Sequence, residues 1–188
     1  MIISDRCDRP VSGLLEKLRE IRWLVLDVDG VLTDGGMHFS ASGELYKRFN
    51  IQDGLGLTLL KNIGVSIAII TGRESEIVKR RMEDLGIQHV YQGVKRKYDA
   101  LEALLKRENS ALSEVMYMGD DLPDLKVMST VKVSVAPSNA HVEARRIATW
   151  VTAAPGGQGA VREVCDALAR AKGAYEHWIQ TFLEHDGV

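Results

Sequence analysis

The stretch WLVLDVDGVLTD, residues 23–34, decides how the rest of the chain is read. WLVLDV (23–28) is an apolar run with β-branched residues that ends in acid and glycine. Such a run marks a strand buried on both faces, as in a parallel sheet. The pattern recurs downstream. VSIAII (65–70) closes with Thr71-Gly72, HVYQ (89–92) is short, and VMYM (115–118) closes with Gly119-Asp120-Asp121. VKVSVA (131–136) closes with Pro137, and TWVT (149–152) supplies a sixth run. Helical patterns fill the gaps at 14–21, 54–64, 74–86, 97–108, near 122–129 and at 138–148, with Gly64 and Gly86 as C-cap glycines. Strands alternating with helices predict an α/β fold: a doubly wound, Rossmann-like parallel sheet of order 3-2-1-4-5-6. One segment breaks the alternation. MHFSASGELYKRF (37–49), with a turn at Ser42-Gly43, reads as a β-hairpin directly after strand one. A long helical pattern runs from Ala160 to about Leu183.

Composition narrows the classes. At 188 residues the chain is one domain, long enough to hold a core without disulfides or structural metal. We divide it into a leader and short helix (1–22), a core (23–155) and a C-terminal helical tail (156–188) hinged at GGQG. Two cysteines, Cys7 and Cys165, exclude a disulfide framework and a Cys-based zinc site. Cys165 lies in an apolar helical pattern and reads as a small core residue, while Cys7 lies in a polar leader. A net charge of −2, from 24 Lys+Arg against 26 Asp+Glu, excludes a strongly basic nucleic-acid binder. No apolar run approaches the ~20 residues of a membrane span, and MIISDRCDRPVSG lacks the pattern of a signal peptide. The expectation is a cytoplasmic protein with neither nucleic acid nor membrane as partner.

The chemistry gathers at the strand ends. Asp27 and Asp29 follow strand one, Thr71 strand two and Asp120 strand four, with Lys97 shortly after strand three. Ligands of open α/β sheets bind along that edge. The expected strand order makes strands one and four neighbours, which brings the three acids into one crevice. Crowded carboxylates repel one another unless a cation joins them. Hard oxygen ligands favour Mg²⁺, which recruits a phosphate oxygen as a further ligand. Lys97, the Thr71 hydroxyl and the backbone N–H groups of Gly30 and Gly72 would complete a phosphate cradle. A carboxylate here can attack phosphorus, and a second can protonate the leaving oxygen and then activate water. Taken singly, each of these short motifs also fits a turn, a cap or a solvated helix start; their joint placement favours phosphoryl transfer to water. An EF-hand loop is excluded, because its twelfth position counted from Asp27 is His38. A receiver-like module is disfavoured, because its phosphoacceptor should end strand three, where Tyr91-Gln92-Gly93 stands.

These motifs together resemble the haloacid dehalogenase superfamily. LDVDGVLTD (26–34) is similar to its first motif and Ile70-Thr71-Gly72-Arg73 to its second. Lys97 matches the third, and Gly119-Asp120-Asp121-Leu122-Pro123-Asp124 the fourth. The resemblance spans Trp23 to about Leu168. It implies Asp27 as nucleophile, Asp29 as general acid/base, and Mg²⁺ held by Asp27, Asp120 and the Asp29 main-chain carbonyl. Thr71, Gly72 and Lys97 would bind phosphate, while Asp121 and Asp124 would order the surroundings of the metal. Neither intermotif gap can house a cap domain of ~50 residues or more, so no cap domain is expected. TDGGMHFSASGELYKRFNIQDGLGL (33–57), YQGVKRK (91–97) and GGQGAVREVCD (156–166) resemble the capless 3-deoxy-D-manno-octulosonate 8-phosphate phosphatase family of lipopolysaccharide synthesis. Phosphatases of nonulosonate 9-phosphates, and the assembly module of acylneuraminate cytidylyltransferases, are the related alternatives. Arg73 favours the octulosonate branch; Gln158 and Thr58 stand where members often carry Arg. By this resemblance the substrate is a small phosphorylated sugar acid. Arg73 and Arg81 would meet it, and Asn50, Asp53 and Gly54 would line the pocket. The family further implies a homotetramer built on the hairpins. Its tail would reach a neighbouring site, with Gly156, Gly157 and Gly159 as hinge and Arg162 as a contact.

Overall fold

The computed structural model describes residues 13–41 and 43–184. Cys7, most of the leader, Ser42 of the hairpin turn and the last four residues lie outside that range. A short helix α1 (Leu14–Arg19) leads into β1 (Trp23–Leu26). The hairpin β2 (His38–Ser40) and β3 (Gly43–Tyr46) follows, then α2 (Ile51–Asn62), β4 (Ser66–Ile70), α3 (Glu76–Asp84), β5 (His89–Tyr91) and α4 (Lys97–Arg107). β6 (Val115–Met118), α5 (Leu125–Met128), β7 (Val133–Ala136), α6 (Val142–Ile147) and β8 (Trp150–Val151) complete the sheet, and α7 (Ala160–Ala171) and α8 (Tyr175–Glu184) close the chain.

Six strands form one sheet in the order β5-β4-β1-β6-β7-β8, all pairs parallel. Renumbered without the hairpin, that is the expected 3-2-1-4-5-6. β1 lies centrally, Val25 pairing with Ala68 on one side and Tyr117 on the other. Side chains alternate across the two faces. Leu24, Leu26, Ile67, Ile69, Met116 and Met118 meet Leu57 and Leu60 of α2, Met82 of α3 and Val161, Val164, Cys165 and Leu168 of α7. Trp23, Val25, Ala68, Ile70 and Tyr117 meet Leu101 and Leu104 of α4, Val127 of α5 and Ala144 of α6. Burial of both faces is why the strands read as continuous apolar runs rather than alternating ones. Each such side chain contributes roughly 1.5–3 kcal/mol. Cys165 is a buried free thiol, as its pattern indicated.

The hairpin is a separate two-stranded sheet, antiparallel, with an irregular register between His38 and Phe39. It exposes Phe39, Leu45 and Tyr46. Between Gly30 and Thr71 the described residues hold this hairpin and α2; between Thr71 and Lys97 they hold α3 and β5. No cap domain interrupts either gap. Among the described residues, no helix is long and apolar enough to cross a membrane.

Two local expectations are corrected. α2 starts at Ile51 rather than 54, because Asn50 caps it, its Oδ1 accepting from the Gln52 N–H at 2.7 Å. The long helix expected over 160–183 is two helices. Ala174 N–H returns to the Ala169 carbonyl and Gly173 N–H to that of Arg170, a Schellman-type ending with Gly173 at φ 72°. The GGQG segment packs against the loop after β1. Gly157 N–H donates to the Val31 carbonyl at 2.9 Å, and a Cβ on Gly156 would stand 1.7 Å from the Gly30 carbonyl oxygen.

Candidate active site

The carboxyl ends of β1, β4 and β6 converge on one crevice. Asp27 is the residue after β1, and its N–H donates to the Met118 carbonyl of β6 at 3.0 Å. Asp120 stands two residues past β6, with Gly119 giving way between them. A Cβ on Gly119 would sit 2.4 Å from Cγ of Asp124, and one on Gly30 would sit 2.1 Å from Oδ2 of Asp120. Only glycine allows these loops to close so tightly on the acids. Gly30 also adopts φ 90°.

One oxygen each of Asp27, Asp120 and Asp124 lies within 4.8 Å of the others. The three differ in what already holds them. Asp124 is fully buried and saturated. Its Oδ1 accepts from Lys97 Nζ at 2.7 Å and from the Tyr117 hydroxyl; its Oδ2 accepts from the N–H groups of Asp120 and Asp121 at 3.1 and 3.2 Å. Asp27 Oδ2 pairs with Lys97 Nζ at 2.9 Å. Among the described residues, Oδ1 of Asp27 and Oδ1 of Asp120 are buried with no hydrogen-bond partner. Two buried carboxylate oxygens without hydrogen-bond partners, on acids gathered in one crevice, fit a small hard cation, with Asp124 as the support that orients the loop and the lysine.

The electrostatics agree. Burial raises Asp27 to about 6; Lys97 opposes this and Asp124 adds to it. Burial, then Asp27 and Asp124, raises Asp120 to about 7. Burial alone would lower Lys97, but Asp27 and Asp124 outweigh it and hold its ammonium above the ordinary lysine value. Tyr117 is pushed well up by burial and by Asp124, so its hydroxyl remains a donor.

Thr71 is buried at the end of β4, its N–H donating to the Tyr91 carbonyl at 2.9 Å and its carbonyl accepting from Val94 N–H at 3.0 Å. Gly72 follows on the open side of the same turn. Arg73 is exposed, with Nε 3.9 Å from Oδ2 of Asp29. Arg81 extends over Gly54, where a Cβ would lie 2.3 Å from its Nη2, and over the Phe49 ring at 5.9 Å. Asp53 Oδ1 accepts from Arg162 N–H at 2.7 Å, binding α2 to the start of α7, and its Oδ2 is buried without a hydrogen-bond partner among the described residues. Burial raises its carboxyl, and the backbone N–H groups at that helix start oppose the rise. Arg162 itself pairs with Asp166 at 2.7 Å.

Sequence reasoning missed Lys47, Glu44 and Tyr117. Lys47 contacts Oδ1 of Asp29 and lies 3.1 Å from Oε1 of Glu44, whose other oxygen accepts from the Ser75 hydroxyl. Nothing in YKRF marks its lysine as buried. Tyr117 carried a signal: a tyrosine inside a strand buried on both faces needs a partner for its hydroxyl.

Residues 90–163 match the haloacid dehalogenase-like hydrolase family. The 3-deoxy-D-manno-octulosonate 8-phosphate phosphatase of Escherichia coli K12 is 45% identical over 168 residues, 89% of each chain. The crystal structure of that phosphatase from Moraxella catarrhalis, in complex with magnesium, phosphate and KDO, superposes with a TM-score of 0.89 at 40% identity, covering 92% of this chain and 99% of that one. The cobalt-bound Haemophilus influenzae phosphatase gives 0.86 at 36% identity, over 89% and 99%. With its fold, its four motifs and 45% identity along 89% of its length, the chain belongs to the 3-deoxy-D-manno-octulosonate 8-phosphate phosphatase family of haloacid dehalogenase-like hydrolases.

Proposed function

We propose that this chain is a Mg²⁺-dependent phosphomonoesterase that converts 3-deoxy-D-manno-octulosonate 8-phosphate to the free sugar acid and phosphate in lipopolysaccharide precursor synthesis. The observation that carries the reading is the pair of buried, unpartnered oxygens on Asp27 and Asp120 beside Lys97 at the sheet edge. These two carboxylates, with the Asp29 main-chain carbonyl, would hold the magnesium ion. When bound, the ion neutralises the acids and polarises the phosphoryl group.

The chain's own groups do the rest. Lys97, Thr71 and the N–H of Gly72 hold the phosphoryl oxygens and keep the phosphorus facing Asp27. The Asp27 carboxylate attacks phosphorus while Asp29 gives its proton to the departing sugar oxygen. Asp29, now a carboxylate, takes a proton from the water that attacks the aspartyl-phosphate; phosphate leaves and Asp27 is restored. Asp124, with Asp121, orders the loop that carries Asp120. Arg73 and Arg81 meet the sugar acid, beside Gly54 and the Asn50 end of α2. The exposed apolar residues Phe39, Leu45 and Tyr46 support a homotetramer assembled through the hairpins, with the reaction in the cytoplasm.

Phosphate release tests the reading, with octulosonate 8-phosphate and a nonulosonate 9-phosphate compared side by side in Mg²⁺. A kcat/KM at least tenfold higher for the octulosonate is expected. Preference for the nonulosonate would move the chain to that branch, and inertness toward both would make it an assembly module. Light scattering checks the tetramer, which an active 20.8 kDa monomer would contradict.

A further inference from the structure

Lys47 is the buried amine that the mechanism leaves without a task. It follows β3 on a hairpin whose other large side chains face solvent, yet its own side chain is 2% exposed. Lysine is almost never buried unless paired. Two carboxylates face its ammonium, Oδ1 of Asp29 in direct contact and Oε1 of Glu44 at 3.1 Å. Glu44 is itself tied down, its Oε2 accepting from the hydroxyl of Ser75. Ser75 in turn caps α3, accepting from Val78 N–H at 3.3 Å. A continuous polar line therefore runs from the start of α3, through β3, to Asp29. It grips one Asp29 oxygen and leaves the other, Oδ2, turned toward Arg73.

We infer that Lys47 is a positioning residue for proton transfer: by holding Oδ1 of Asp29 against the hairpin, it aims Oδ2 at the leaving oxygen of the substrate. The inference rests on the acid–base role proposed for Asp29. As the bond from Asp27 oxygen to phosphorus forms and the bond from phosphorus to the sugar oxygen breaks, the Asp29 proton passes to that oxygen. The attacking water later returns a proton to Asp29, so each turnover restores it. A sugar alkoxide departs poorly without that proton. p-Nitrophenolate departs without it. Misdirecting Asp29 slows the water step for both substrates and adds a loss at departure for the sugar phosphate alone, so the sugar phosphate should lose more.

The test compares Lys47→Met with the wild type on octulosonate 8-phosphate and on p-nitrophenyl phosphate in saturating Mg²⁺. A well-placed acid contributes about 10²–10⁴-fold, so kcat on the sugar phosphate should fall about 100-fold, with KM changed little. On p-nitrophenyl phosphate, where only the water step feels the change, the loss should be about tenfold smaller. Glu44→Gln keeps the lysine and loosens its seat, and should show the same bias at smaller size; it carries the test if Lys47→Met does not fold. Equal losses on both substrates, or undiminished turnover of the sugar phosphate, would overturn the inference. Asp29→Asn, run in parallel, separates the two ideas: full sugar-phosphate turnover there overturns the role of Asp29 itself.

Discussion

Lys97→Met removes the ammonium that pairs with both Asp27 and Asp124. Its Nζ lies 2.9 Å from Asp27 Oδ2 and 2.7 Å from Asp124 Oδ1, on a side chain 5% exposed. Methionine fills much the same volume, so packing changes little and charge changes by one. Breaking a buried pair from one side costs about 3–5 kcal/mol, because the abandoned carboxylates stay desolvated. At roughly 2–4 °C per kcal/mol for a chain of this size, the melting temperature in chelator at pH 8 should fall on the order of 10 °C. The pH dependence follows from the raised carboxyls. Burial holds the Asp27 and Asp120 carboxyls up at about 6 and about 7 in the fold, against an ordinary value of 3.8. Between 3.8 and those values the folded chain binds more protons than the unfolded one, so stability falls as pH rises through that window. At pH 5 Asp27 holds a proton, so the loss of Lys97 strips a partner from Asp124 but no longer strands Asp27, and the penalty should be smaller. Urea unfolding of wild type and variant at pH 5 and pH 8 measures both penalties. A penalty under about 1 kcal/mol at pH 8, or one equal at the two pH values, would refute the reasoning.

Other expectations follow from the same geometry. In the metal-free wild type, ionising Asp27 against its raised pKa costs about 3 kcal/mol at about 1.4 kcal/mol per pH unit; Mg²⁺ should therefore raise the melting temperature more at pH 8 than at pH 5.5, and an equal rise would contradict this. Gly156→Ala would put a methyl 1.7 Å from the Gly30 carbonyl oxygen, with backbone on both sides and no room to yield. Overpacking of this kind costs about 1–3 kcal/mol or more, read as a lower melting temperature together with lost turnover, since Gly30 belongs to the Asp27–Asp29 loop. Arg73→Ala should cut kcat/KM on octulosonate 8-phosphate about 10–100-fold, the worth of one charge-assisted contact, while p-nitrophenyl phosphate loses little; matched losses would return Arg73 to the surface.

The sheet and its acids were legible because burial on both faces writes strands as apolar runs, and because chemistry at a parallel sheet's edge must sit where those runs stop. Asp27, Thr71 and Asp120 each fall within two residues of a strand end. What escaped depends on contacts distant in sequence. Lys47 is buried only because the hairpin folds back on the first loop, and no local pattern encodes that. Asp53 meets Arg162 at the start of α7, 109 residues away, a contact that no local pattern announces. Two misses were local and readable. Asn50 with Asp53 three positions on is a helix-start signal, and Gly173 after Lys172 is a C-terminal one that the continuing apolar pattern concealed.

In the proposed mechanism Asp27 carries the phosphoryl group during hydrolysis of octulosonate 8-phosphate. Single-turnover phosphate release by wild type and Asp27→Asn, each folded and Mg²⁺-saturated, tests it most directly. The wild type should release one phosphate per active site and pass through an acid-stable, alkali-labile phosphoenzyme, and Asp27→Asn should form neither. Phosphate release by Asp27→Asn at more than a tenth of the wild-type rate would contradict it.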